Sequence, residues 1–227
     1  MQGVSNYSAL SFPRAFWAVI RRPIAAFTNL VAYPSRSWLI LALLLMGLVL
    51  LSSALNQNLL LSRQTDTISN RPPSVLLSAG NSVLLWLKWL VWAGLLYLVS
   101  TLFGGNSTFR TLWRVVIWTS VPDLIRSLLQ VVSLWLTRQP IEYAGLSGLI
   151  LRSAENPAGF QLALSGILAQ IDLFAIWRLI LLAIGLTCAT SLARRKSWTV
   201  VLIIWALLIA LGLIPAQLYN WVDTSIS

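Results

Sequence analysis

The chain has 227 residues, 58% of them hydrophobic and 10% charged, with a mean hydropathy of +0.80. A soluble domain is about 45–50% apolar, so this composition excludes one and points to an all-α, polytopic integral membrane helical bundle. The net charge of +10 sits in short blocks between apolar runs, which is a topology signal rather than a nucleic-acid footprint. With no histidine and one cysteine, Cys188, the sequence argues against His-ligated haem, the usual zinc and di-iron sites and an internal disulfide. No cofactor and no intrinsic metal are expected.

In chain order, the start MQGVSNYSAL lacks the pattern of a secretory signal, so the first apolar helix is expected to be retained. Residues 1–36 read as a cytoplasmic, basic, amphipathic segment. Within it Phe12, Phe16, Trp17 and Ile20 recur at helical spacing, while Pro13, Pro23, Arg14, Arg21 and Arg22 forbid a crossing. That pattern predicts an N-terminal interfacial helix, its arginines either recognising anionic headgroups or simply orienting the first span. A membrane domain is predicted over residues 37–220, with five transmembrane helices at about 38–60, 75–103, 115–137, 171–192 and 198–219 and a short tail at 221–227. The stretch 138–170 holds two moderately apolar pieces, neither a persuasive crossing, which are expected to lie on the surface or to re-enter the membrane.

Charge orients the bundle. One set of flanks carries Arg14, Arg21, Arg22, Arg36, Arg110, Arg114, Arg194, Arg195 and Lys196 with no acidic residue. The opposite set carries Arg63, Arg71, Arg138 and Arg152, balanced by Asp66, Glu142, Glu155 and Asp223. The Lys/Arg asymmetry of short loops predicts a cytoplasmic amino terminus and an outside carboxyl terminus, and Trp86, Trp198 and Trp221 near the span ends suit interfacial anchors.

Five ionisable side chains fall in or beside apolar segments: Lys88, Asp123, Arg126, Asp172 and Arg178. A charge at the centre of a membrane helix costs about 2.5–3.5 kcal/mol on insertion scales, so each needs a partner, water or a path to the interface. Asp123 and Arg126, three apart, share a helix side and can neutralise each other or line a polar passage. Pro122 is expected to kink the third span. Gly104 and Gly105 permit a sharp turn that would leave Phe109, Arg110 and Arg114 at a cytoplasmic lipid or partner surface. Arg14, Arg21, Arg22, Arg194, Arg195 and Lys196 would complete a basic rim. The sequence contains no GxxxxGK[ST], GxSxG or HExxH, which disfavours ATP hydrolysis, a nucleophile-elbow hydrolase and a zinc peptidase. Cys188, with no histidine to activate it, reads as a small packing residue.

Four segments recur in a familiar order: VIRRPIAAF before the first span, FGGNSTFRTLWRVV leading into VPDLI, DLFAIWRLILLAIGL, and ARRK before the fifth span. From Phe16 to Ala216 the pattern resembles the Yip family, polytopic membrane proteins named for interaction with Rab-type GTPases. The resemblance implies a non-enzymatic bundle of about five helices. It assigns Gly104, Gly105, Phe109, Arg110 and Pro122 to the glycine turn and third span, and Asp172, Phe174 and Trp177 to the opening of the fourth. Eukaryotic relatives are implicated in vesicle trafficking and membrane organisation. Short loops and strong charge asymmetry look bacterial, implying a multi-pass protein of the inner membrane. No substantial amino-terminal domain precedes the first span, so the GTPase role is not expected to carry over. The expected function is a scaffold or accessory subunit that binds anionic headgroups and another membrane protein or a second copy, with no nucleic-acid partner. The alternative is a small-molecule or ion transporter using the five intramembrane charges.

Overall fold

The helices follow from where proline and glycine interrupt the apolar runs. In a computed structural model that describes residues 10–63, 74–139 and 172–226, the elements are α1 (Phe12–Arg21), α2 (Pro23–Ala32), α3 (Ser37–Arg63), α4 (Ser74–Leu102), α5 (Phe109–Trp118), α6 (Val121–Thr137), α7 (Leu173–Thr190) and α8 (Arg194–Ile226). Among the described residues there is no strand. Among the described residues, four stretches are long and apolar enough to cross a membrane: Ser37–Leu59, Val83–Leu102, Phe109–Thr137 and Leu173–Thr190. The two candidate pieces of the stretch 138–170 lie outside the described residues.

The amino-terminal segment is two helices, not one. A residue before proline is pushed out of the helical region, and Arg22 accordingly adopts φ −141° and ψ 65° ahead of Pro23, which opens α2 at a position where its missing N–H is not needed. Both helices pack into the bundle. α1 buries Ala15 and Val19 completely and sets Phe12 against Trp118, with ring centroids 6.0 Å apart. Trp17 turns outward, where the Arg21 guanidinium stands 5.1 Å from its ring. α2 packs mainly on α7. Gly185 makes that approach possible: a Cβ there would stand 2.6 Å from Val115 Cγ1 on α5 and 3.2 Å from Phe27 Cε1 on α2. Phe27, Val116, Leu182 and Leu186 are fully buried around it.

The third predicted span differs most from expectation. Helix begins at Phe109 rather than near Val115, because Thr108 is an N-cap whose hydroxyl accepts a hydrogen bond from the Thr111 amide. It is then interrupted at Thr119–Ser120. Pro122 lies in the first turn of α6, where it interrupts no hydrogen bond. The break is buried, so its polar groups must be satisfied locally. Thr119 Oγ1 and Ser120 Oγ donate to the Val116 carbonyl at 2.8 and 3.2 Å, and Trp89 Nε1 of α4 donates to Ser120 Oγ at 3.0 Å.

α4 and α5 are joined by an aromatic ladder from Tyr97 to Phe109, Trp113 and Trp86, with successive centroids 6.4, 6.2 and 5.8 Å apart. Trp86 thus packs between helices rather than standing free as an anchor. Its Nε1 lies 2.7 Å from the Met46 sulfur of α3.

Candidate functional site

The five intramembrane charges converge. α7 begins at Asp172, whose carboxylate caps the helix by accepting the Ala175 amide at 2.7 Å. The same carboxylate takes Arg126 Nη1 of α6 at 2.7 Å. Six residues further along the chain, Arg178 Nη1 of α7 donates to Asp123 Oδ2 of α6 at 2.9 Å. The pairing expected within one helix, Asp123 with Arg126, is therefore exchanged for two pairs between helices. The reason is geometric: α6 and α7 pack side by side, and each presents an acid and a base to the other. Two crossed bridges fix the register of the helices, which a pair within α6 could not do.

Lys88 of α4 completes the cluster without a bridge. It lines a cavity of about 470 Å³ together with Asp123, Arg126, Arg178, Trp92 of α4 and Trp205 of α8. Its side chain is exposed, and among the described residues it has no ion pair. Arg178 is buried; its Nε and Nη2 find no hydrogen-bond acceptor among the described residues, and its guanidinium carbon lies 5.6 Å from the centroid of the Trp92 ring. An aromatic face offers such a cation an electrostatic partner where water cannot reach. Trp92 and Trp205 escaped the sequence reading because twelve tryptophans offer no local signal for which ones meet a charge.

At the other end of the helices two loops interlock. Gly104 at φ +83° ends α4 in a left-handed cap, with the Gly104 amide bonded to Thr101 O at 3.0 Å and the Gly105 amide to Ser100 O at 2.8 Å. Gly105 is pressed against Leu192 of the α7–α8 loop, where a Cβ would stand 3.1 Å from Leu192 Cδ1. The Asn106 amide donates to Thr190 O at 3.2 Å, and Lys196 Nζ donates to Phe103 O at 3.5 Å. Arg110, Arg194, Arg195 and Lys196 are exposed around this junction, while Arg114 is half-buried against Phe27, Leu30 and Val31 of α2. Phe109, Arg110 and Arg114 belong to α5, not to the turn. Arg21 and Arg22 stand exposed at the α1–α2 junction; Ile24 beyond them shares a small groove with Cys188, Arg194 and Trp198. Arg14 is exposed on α1. At the opening of α7, Phe174 and Trp177 are half-buried.

A family profile described as Yip1 domain matches residues 17–214, from the first turns of α1 into α8. The chain belongs to the Yip1 family. The Yip1 family is non-catalytic, and among the described residues no group of His, Cys, Asp or Glu could hold a metal ion. The Yip1 match takes in both the crossed ion pairs and the interlocked loops. No curated protein and no solved structure matches the chain.

Proposed function

We propose that this Yip1-family protein is a membrane scaffold or accessory subunit, which docks another membrane protein and anionic headgroups on its basic rim. One observation carries the reading: the loops 103–108 and 191–193 are tied by Asn106 to Thr190, Lys196 to Phe103 and Gly105 to Leu192 into one platform with Arg110, Arg194 and Arg195 exposed around it. Helix stability does not account for those charges. Arg194, Arg195 and Lys196 occupy the first turn of α8, where the positive end of the helix macrodipole disfavours cations. A phosphate layer supplies the compensation, at about 1 kcal/mol per basic residue near an anionic surface. In this reading α8 is a fifth span, α1 and α2 lie at the headgroup layer, the amino terminus is cytoplasmic in a bacterial inner membrane and the carboxyl terminus is outside.

The test is a native pull-down in mild detergent, with the recovered protein and lipid partners identified. Arg110→Gln with Arg114→Gln should lower recovery of a partner or of anionic lipid while leaving insertion and yield unchanged; undiminished recovery would exclude the rim as the docking surface. A second reading, transport of a small solute, is favoured by the cavity beside Lys88. Saturable flux into sealed liposomes that is abolished by changing Asp123 would replace the scaffold reading.

A further inference from the structure

The cavity and the rim lie toward opposite ends of the same helices. Lys88 is fourteen residues from Leu102, the rim end of α4, which at 1.5 Å per residue is about 21 Å along a helix crossing a core of roughly 30 Å. It follows Val83, where the apolar stretch of α4 begins, by five residues, so it sits near the interface opposite the rim. Its neighbours are two carboxylates and two arginines, and both carboxylates are already bridged. Among the described residues the cluster is left with one positive charge in excess. An uncompensated charge in a membrane helix is disfavoured, and Lys88 is the one with no bridge among the described residues. Arg126 lies beside it with a side chain 30% exposed and, among the described residues, only Nη1 engaged, on Asp172. The remaining wall is apolar: Leu84, Leu87, Val91 and Leu208.

We propose that this cavity binds one phospholipid of net negative charge, its phosphate held by Lys88 and Arg126 and its acyl chain laid along Leu84, Leu87, Val91 and Leu208. Charge complementarity selects an anion, and a phosphate bridging an ammonium and a guanidinium makes the stronger, charge-assisted class of hydrogen bond. The apolar wall selects a lipid over free phosphate, which would shed its water with nothing gained from Leu84, Leu87 or Val91. The site lies in the leaflet opposite the rim and does not depend on the scaffold reading.

The experiment follows the melting of the purified full chain in a non-ionic detergent while dioleoylphosphatidylglycerol, dioleoylphosphatidylcholine or inorganic phosphate is added. Phosphatidylglycerol should raise Tm saturably, and the other two should not. Lys88→Met should melt at or above the wild-type temperature without lipid, because it removes an unpaired charge. It should also lose the phosphatidylglycerol-dependent rise, or need roughly tenfold more lipid for half of it. Lys88→Arg should keep the rise. Arg110→Gln with Arg114→Gln and Arg194→Gln should lose only headgroup binding at the rim and keep the part of the rise that depends on Lys88. The proposal is overturned if Lys88→Met responds like wild type, if the rim variant abolishes the response, or if inorganic phosphate reproduces it, the last result assigning the cavity to a free anion.

Discussion

Asp123 is the residue on which two otherwise compatible architectures disagree. Neutralisation by Arg126 on the same helix would make Asp123→Leu with Arg126→Leu a compensated pair of changes. The observed contacts make Arg178 the partner instead. Removing one member of a buried bridge leaves the other uncompensated at about 3–5 kcal/mol, whereas removing both and filling the space with apolar atoms is often neutral. Asp123→Leu is therefore expected to lower the detergent melting temperature strongly. Asp123→Leu with Arg178→Leu should restore most of it, and Asp123→Leu with Arg126→Leu should not, since it also orphans Asp172. Thermal melting of the three variants beside wild type decides the matter. Rescue by the Arg126 change, and not by the Arg178 change, would place the bridge within α6 and refute the crossed arrangement.

Between elements, four glycines make graded predictions. Gly104 holds φ +83°, a left-handed conformation that costs an ordinary residue about 1–2 kcal/mol, so Gly104→Ala should destabilise by that amount and Gly104→Asn by less. Gly105→Ala places a Cβ 2.9 Å from the Ser100 carbonyl oxygen, a backbone atom that cannot step aside, and should loosen the joint between the two basic loops. Gly94, within α4, has nothing within 4 Å of a Cβ. Gly94→Ala is expected to be neutral, or stabilising by up to about 1 kcal/mol through helix propensity. Gly185 is the severe case. Even Gly185→Ala forces Val115 or Phe27 to move, overpacking of a kind that typically costs 1–3 kcal/mol. Melting temperatures ranked Gly94→Ala highest and Gly185→Ala lowest would match these contacts; a Gly185→Ala protein as stable as wild type would mean that α7, α5 and α2 do not meet as described.

At the scale of the whole molecule the chain is a multi-pass, all-α membrane protein with charge chemistry at two levels. The exposed basic surface gathers where α4, α5, α7 and α8 meet their loops, and the crossed ion pairs join α6 to the opposite end of α7. In the proposed reading the Lys/Arg asymmetry means that the basic loops face inside. In spheroplasts with an intact inner membrane, an epitope fused to the carboxyl terminus should then be labelled, and one inserted at the amino terminus should be labelled only after permeabilisation. Labelling of both termini from the same side would indicate an even number of crossings and remove α8 from the count of spans.

By themselves the residues determined the all-α class and the apolar helices, because about 20 consecutive apolar residues have few stable alternatives to a membrane helix. They also singled out Lys88, Asp123, Arg126, Asp172 and Arg178, since a charge is conspicuous where almost every neighbour is apolar. What the charges do to one another was not legible. Spacing along one helix suggests the pair Asp123 and Arg126, yet an arginine reaches a facing helix as readily as its own, and the packing of α6 on α7 selects the partner. The break before Pro122 is likewise half local: proline marks the place, but Trp89, thirty-one residues earlier, supplies the hydrogen bond to Ser120. The same holds for Gly185 and for the α1–α2 segment. Amphipathic spacing indicates that a surface will be covered, and only the tertiary structure decides by what, because burial depends on neighbours far away in the chain.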